Sequence, residues 1–459
     1  MAGRMLAAKL AVARSAGALA RRAGRGGGTS LPGKLLMRLE PHAIGALAGR
    51  LPQGSVAISA TNGKTTTAAM VAAILERRGT RLVHNKAGAN MAGGIASTLM
   101  GAAHGRGIDG QLGLFEIDEF WLGRLVDELK PRKLLLGNLF RDQLDRYGEL
   151  ETIADRWAEI VASNGRTTQL ILNADDPLVA DLGRHQPRVL YFGVEDDAMA
   201  LPQMQHASDS KHCRRCGHAY EYDAVYLGHL GRYHCPNCGQ RRPEPQVTAR
   251  EVRLDGTRGA RFLLSTPAAS GEVRLPLPGL YNVYNAVGAA ALCHGLGVPF
   301  ETIVAGLEAV AAAFGRAETV SLDGRDLSIL LIKNPAGANE VLRTLALEPR
   351  AVDLLAVLND NIADGRDISW VWDADFELLA GRVRRITCSG TRAAELALRL
   401  KYAGVDPERL VVVPELAAAL DEARTEGEGT LFALPTYTAL LSLKELLAQR
   451  GLAPDYWAQ

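Results

Sequence analysis

Two stretches of this 459-residue sequence hold residues whose types and spacing could do chemistry. In the first, Ile58 to Leu75 (ISATNGKTTTAAMVAAIL), an apolar strand end runs into Gly63, Lys64 and three threonines, and an Ala-rich helix follows. Unpaired N–H groups at a helix N-terminus bind anions well. Gly63 lets the backbone approach a phosphate closely. Lys64 offers a charge to the β- and γ-phosphates of a nucleotide such as ATP, and the Thr65 hydroxyl suits Mg²⁺. The usual P-loop spacing asks for a further glycine where Ile58 stands. An ordinary strand-turn-helix with a chance Gly-Lys-Thr is the plainer reading. The agreement of strand, turn and helix context speaks against it.

The second stretch is Cys213-Arg-Arg-Cys216 with Cys235-Pro-Asn-Cys238, two pairs separated by 18 residues. This is zinc-ribbon spacing. Gly217 and Gly239 directly follow the pairs and suit the positive φ that such knuckles need. Four thiolates close a tetrahedral Zn²⁺ shell and leave no position for water or substrate, so the expected role is structural. Redox-active pairs are the alternative. His206, His212, His218, His229 and His234 nearby read as solvated loop residues, and Cys293 and Cys388 as core thiols. Zinc ribbons often bind nucleic acid, which gives a third reading, a nucleic-acid-binding ATPase. The span between the pairs lacks a strong basic run and the formal net charge is +1, so no nucleic-acid partner is expected.

These residues need elements to position them. From about Leu51 to Asp197 buried strands such as KLLLGNLF, QLILNADD and RVLYFG alternate with helical stretches, the pattern of a parallel sheet covered on both faces. Polar, His-rich sequence interrupts it at about 203–245. A β-rich stretch and the helix from Asn282 follow. After AFGRAE a second alternation gives five strands, LSILLIKN, AVDLLAVLN, RRITCSG, RLVVVP and TLFALP. The expected division is an N-terminal basic helical segment (1–50), an ATP-binding α/β domain (51–314) with the cysteine insertion, and a Rossmann-like α/β domain (315–459). Apolar residues make up 47% and charged residues 22%, ordinary for a soluble globular protein, and no apolar run reaches membrane-span length. Six cysteines with four spaced for metal point to a reducing cytoplasm. The Arg- and Ala-rich start has no acidic residue before Glu40. It reads as a transit peptide or as a helix of the mature protein, lying against the protein or touching an anionic membrane surface; a helix of the mature protein is favoured, with either placement open.

Further motifs follow in order. FEIDEFWL places Glu116 after an apolar strand, where a carboxylate could meet Mg²⁺ beside Thr65. GNLFRDQLDRYG offers Asn138, Asp142 and Asp145. LPGLYNVYNAVGAAAL puts Asn282 and Asn285 on the first turn of a helix. FGRAE puts Arg316 at a domain junction, and KNPAGANEVL puts Lys333 and Asn334 at a strand end. As a set, over about residues 51–345, these resemble the Mur ligase family, which includes folylpolyglutamate synthase. The stretch from Ala60 through Asn62, Gly63, Lys64 and Thr65 to Thr66 matches that family's phosphate loop, with Ala60 where glycine is usual. The resemblance makes Glu116 the Mg²⁺ glutamate and Asn285 and Arg316 nucleotide contacts. It implies a carboxylate activated by ATP as an acyl phosphate and attacked by an amine. It departs from the family in three places. Only about 50 residues precede the loop, where the family carries a UDP-sugar domain. The family's metal-binding histidine falls near Gln143. Its carbamylated lysine falls near Glu159, where a permanent carboxylate would replace the carbamate.

A narrower resemblance spans nearly the whole chain. GRGGGTSLPGKL (Gly24–Leu35), the four-cysteine insertion, NDNIADGRDISWVWDADFE (Asn359–Glu377) and LPTYTALLSLKELL look like the MurT-type subunits of lipid II isoglutaminyl synthases. This implies amidation of the D-glutamate α-carboxylate in the lipid II stem peptide at the inner membrane face. Ammonia would come from a GatD-type glutaminase in a heterodimer. An aspartate of the C-terminal domain would complete that partner's Cys-His triad. Asp360, Asp364, Asp367 and Asp373 are available, with Asp364 the position taken and Asp367 next. Trp370 and Trp372 read equally as interface anchors or core. A stand-alone Mur-type or folylpolyglutamate-synthase-like amino-acid ligase is the second reading.

Overall fold

The computed structural model describes residues 2–22, 30–85, 89–142, 150–205, 208–310, 316–322, 324–425, 427 and 429–453. Its larger sheet has nine strands. From one edge they are Ser270–Leu275, Ala260–Ser265, Val247–Leu254, Val189–Val194, Gln169–Asn173, Lys133–Leu136, Ser55–Ser59, Leu112–Glu116 and Leu82–His84. The seven from Val247–Leu254 onward run parallel; Ala260–Ser265 returns antiparallel to them, and Ser270–Leu275 turns back antiparallel to Ala260–Ser265. Helices cover both faces, so the strands are buried on both sides. Ser55–Ser59 and Leu112–Glu116 are buried at every residue and read as apolar runs rather than alternations.

Two apolar clusters sandwich this sheet. One gathers the inner faces of the helices Lys64–Arg77 and Leu280–Gly295. The other gathers Ala92–Ala102, Leu122–Leu129 and Leu150–Asn164. The basic N-terminal stretch is a helix, Ala2–Arg22, that buries Leu6, Leu10 and Ala13 in this second cluster, and Lys9 pairs with Glu40 at 2.9 Å. Among the described residues no helix is long and apolar enough to cross a membrane.

Strand order fixes where the loop Ala60–Gly63 sits. The neighbouring strands Ser55–Ser59 and Lys133–Leu136 hand the chain on to opposite faces. This is a topological switch point, where open α/β sheets leave a crevice beyond the strand ends. The register sets Glu116 opposite Ile58, one strand over from the loop.

The second sheet has six strands in the order Arg316–Leu322, Arg325–Leu330, Leu431–Pro435, Val352–Val357, Val383–Ser389 and Leu410–Val412. All pairings are parallel except the first. The five strands expected from sequence are all present. The antiparallel strand Arg316–Leu322 is additional, in a segment the sequence reading took for a junction. This sheet has its own crevice, between Val352–Val357 and Leu431–Pro435. The segments after those strands pack into different cores. The Asp-rich loop begins there. Between the two sheets the cysteine segment forms a hairpin of Glu221–Leu227 and Leu230–His234, closed below by the bridges His212–Ala219 and His234–Arg241.

Candidate functional site

The loop after Ser59 is held by Asn138 from the neighbouring strand end. The Asn62 N–H donates to Asn138 Oδ1 at 2.9 Å, and Asn138 Nδ2 donates to the Asn62 carbonyl at 3.0 Å. The Thr61 N–H donates to the Asn138 carbonyl at 2.9 Å. Gly63 has φ +84°, and a Cβ there would lie 2.0 Å from Asn285 Oδ1. Glycine is therefore required twice, for the left-handed backbone and for the approach of Asn285. Asn285 also accepts from Thr67 Oγ1 at 3.3 Å and donates to Asn282 Oδ1 at 3.1 Å. The helix begins at Lys64 with no side-chain cap, so its first N–H groups remain available to an anion. Thr66 is buried on the first turn.

Lys64 is almost fully buried. Its ammonium donates to Glu119 Oε2 at 2.7 Å and to the Ala60 carbonyl at 2.5 Å. Burial alone would lower its pKa, but Glu119, with Glu116 and Asp118 behind it, outweighs that and leaves it raised. Lys64 is thus charged and directed by Glu119, a residue the sequence reading passed over in favour of Glu116. The signal was present: Glu119 follows the same strand end.

Glu116 is buried, and its Oε1 accepts from Thr65 Oγ1 at 3.1 Å and Asn90 Nδ2 at 3.3 Å. Asn85 fixes the Glu116 backbone through its N–H (2.9 Å) and carbonyl (2.8 Å). Two oxygens about 3 Å apart span one edge of a Mg²⁺ octahedron with bonds of about 2.1 Å, so Thr65 and Glu116 fit as a ligand pair.

A cleft of about 760 Å³ opens beside this loop. Asn62, Gly63, Asn138, Asn285 and Lys333 supply its polar lining; Phe140, Leu227, Leu230, Tyr281, Leu331 and Val341 supply apolar surface. Both sheets contribute. Asn334 caps the helix Pro335–Ala346 through the Gly337 N–H at 2.9 Å and donates to Asn62 Oδ1 at 3.0 Å. Lys333 pairs with Asp142 and reaches the Thr61 carbonyl at 3.4 Å.

A second cleft of about 510 Å³ shares Lys333 with the first and continues past Asn334 to Asp364, Asp367 and Asp373. Asp364 is turned inward. Its Oδ1 accepts from the Thr438 N–H at 2.7 Å and its Oδ2 from Thr438 Oγ1 at 2.5 Å, and it is 7% exposed. Burial pushes its carboxyl up despite the Thr438 bonds. It ties the Asp-rich loop to the start of the helix Tyr437–Gln449. Asp367 is exposed, and the Ser369 N–H lowers its carboxyl. Trp372 is half exposed, with Arg399 stacked on it.

The four cysteine Sγ atoms all lie within 4.8 Å of one another, with Cys213–Cys238 at 3.5 Å and Cys216–Cys235 at 3.4 Å. Zn–S bonds of about 2.3 Å give tetrahedral S–S edges of about 3.8 Å, so the cluster fits a metal ion. Gly217 and Gly239 have φ +75° and +73° in open space, so backbone conformation alone requires glycine there. His229 departs from expectation. It is fully buried, its Nε2 lies 3.4 Å from Asp176, and its ring packs on Phe140 at 4.6 Å. Hairpin folding carries it inward, which composition cannot reveal.

The structure thus gathers Asn62, Gly63, Lys64, Thr65, Thr66, Glu116 and Asn285 at one crevice, Asp364 at the other, and the four cysteines at the hairpin base. The Arg316 side chain, Gln143, Asp145 and His206 lie outside the described residues. Glu159 is exposed on its helix.

The fold and this loop define a Mur-type, ATP-dependent ligase. Residues 58–238 match the Mur ligase middle domain and residues 331–440 the MurT ligase C-terminal domain. A pseudomurein peptide ligase type C from Methanothermus fervidus shares the fold. Its TM-score is 0.67 at 22% identity, over 88% of this chain and 80% of that one. Two relatives are named lipid II isoglutaminyl synthase (glutamine-hydrolyzing) subunit MurT. The one from Streptococcus pneumoniae is 32% identical over 93% of this chain and 94% of its own length. The one from Staphylococcus aureus is 34% identical over 94% and 95%. The chain belongs to the MurT family.

Proposed function

We propose that this chain is the ATP-dependent ligase subunit of a lipid II isoglutaminyl synthase, converting the D-glutamate α-carboxylate of the stem peptide to the amide. The observation that carries the reading is one crevice joining an uncapped helix N-terminus, a charged buried Lys64 and a Thr65–Glu116 oxygen pair. Together they answer a nucleotide phosphate and its Mg²⁺. ATP with Mg²⁺ would supply the phosphoryl group that turns the carboxylate into an acyl phosphate, and ammonia would displace the phosphate. The chain's own part is positioning and charge. The first N–H groups of the helix Lys64–Arg77 orient the phosphates, and Lys64 leaves Glu119 to offset charge on the transferring group. Thr65 and Glu116 hold the metal. Asn285 and Arg316 contact the nucleotide.

We read residues 51–314 as the ATP-binding domain and 315–459 as a Rossmann-like domain, after a basic segment 1–50. The cysteine hairpin is read as a structural zinc ribbon. Its S–S distances support that reading. The partner is a GatD-type glutaminase, and lipid II would hold the complex at the inner face of the membrane. The Asp-rich loop meets that partner. Thr438 holds Asp364 rigidly, as a carboxylate that orients a histidine must be held, and Asp367 is the exposed alternative.

The test uses the two-subunit complex with glutamine or ammonium as nitrogen source. Asp364→Asn should abolish glutamine-driven amidation and keep ammonium-driven amidation. Equal loss of both would place the residue in the ligase site or in folding. No loss would move the role to Asp367, and silence of Asp367→Asn as well would remove the loop from the glutaminase.

A further inference from the structure

We propose that the tip of the four-cysteine hairpin, Leu227 to Leu230, is the wall against which the base of ATP packs, so that the metal module governs nucleotide recognition as well as local stability. The inference rests on the ATP-dependent reading above.

Leu227 and Leu230 border the same cleft as Asn62, Gly63 and Asn285. The strand Glu221–Leu227 leads from the first cysteine pair to this tip, and Leu230–His234 leads back to the second. The tip is seated rather than loose. Gly228 has φ +57°, and a Cβ there would meet the Phe140 ring at 2.7 Å. Its N–H donates to Gln205 Oε1 at 2.7 Å, and its carbonyl accepts from Ser208 Oγ at 2.8 Å. The next residue, His229, packs its ring on Phe140. Phe140 also lines the cleft and stands two residues after Asn138, which shapes the phosphate loop. On the other side Arg343, from the second sheet's helix, donates to the Tyr226 carbonyl at 3.0 Å. The hairpin therefore meets both halves of the cleft.

Polyphosphate needs only the polar side of this cleft. A purine needs an apolar slot beside it, since binding sites take their affinity for flat rings from buried apolar surface. The two leucines offer that surface. The hairpin that joins the two cysteine pairs carries both leucines to the cleft.

The test compares binding of ATP and of inorganic tripolyphosphate to the full chain by calorimetry. Leu227→Ala should raise the ATP Kd about tenfold, the scale of losing most of one aliphatic contact, and leave tripolyphosphate binding unchanged. Equal loss for both probes, or no loss for either, would overturn the wall. Leu230→Ala is expected to behave alike, but Leu227 and Leu230 are both buried, at 4% and 1% exposed, and the loss of either can unseat the tip. A wild-type measurement avoids that difficulty. Photolabelling with 2-azido-ATP and 8-azido-ATP should mark the tryptic peptide from Cys216 to Arg232, with excess ATP suppressing the label. Label from both reagents confined to other peptides would overturn the inference. Lys64→Ala separates the two levels. If it weakens ATP binding while the hairpin stays unlabelled, only the hairpin proposal falls. If wild-type protein binds no ATP, the ligase reading falls and takes this inference with it.

Discussion

Lys64 and Glu119 form an ion pair in which each side chain is only 10% exposed. Lys64→Met removes the ammonium and strands the Glu119 carboxylate in a site with little water. Breaking a buried pair on one side costs about 3–5 kcal/mol, and the residual exposure argues for the lower end, about 3 kcal/mol. Removing both charges with Lys64→Met/Glu119→Gln should return stability to within about 1 kcal/mol of the wild type, because no uncompensated charge remains. Catalysis should not follow. Without the ammonium, amidation should fall by about 10²–10³ in both variants, the usual loss for a single phosphate-facing charge. The assay is thermal unfolding alongside ATP-dependent amidation with ammonium as nitrogen source. A single variant as stable as wild type would refute the pairing. A double variant with restored turnover would show that Lys64 serves the fold and not the phosphates.

Gly63→Ala should cost about 1–2 kcal/mol from its left-handed backbone alone and displace Asn285, so both melting temperature and ATP affinity should drop. An unchanged ATP titration would contradict the loop geometry. Elemental analysis of fresh protein should find about one zinc per chain, and Cys235→Ser should lose it along with soluble yield; metal-free wild-type protein would refute the ribbon. Burial raises the Glu340 carboxyl against the pull of Arg343. A raised folded value means this group's contribution to stability is complete below the ordinary value of 4.5 and is lost as pH rises through the raised one. The melting-temperature difference between wild type and Glu340→Gln should therefore move in the variant's favour as pH increases, and a slope of the opposite sign would contradict the burial argument.

Much of the local structure around Lys64 was legible because its parts are adjacent in the chain. Ile58 to Leu75 carries strand, turn and helix in one run, and the cysteine pairs carry their own knuckle glycines. The five strands of the second sheet announce themselves as apolar runs for the same reason. What escaped is long-range. Glu119 meets Lys64, and Asn138 meets Asn62, only once the sheet places neighbouring strand ends together. His229 looked like a solvated loop residue because polar surroundings in sequence do not tell which side of a hairpin turns inward. The Asp-rich loop shows the same limit. Four aspartates look equivalent in the chain, yet helix docking through Thr438 sets Asp364 apart from the exposed Asp367.

The central claim is the reaction itself. Purified chain, with its glutaminase partner absent, would be incubated with lipid II, ATP, Mg²⁺ and an excess of ammonium, and the stem peptide read by tandem mass spectrometry. The expected product carries a carboxamide at the α-carboxylate of D-glutamate, formed in step with ADP and phosphate and absent in Lys64→Met. A stem peptide extended by an amino acid would mean a conventional Mur-type ligase, and unmodified lipid II beside steady ATP hydrolysis would contradict the amidation account outright.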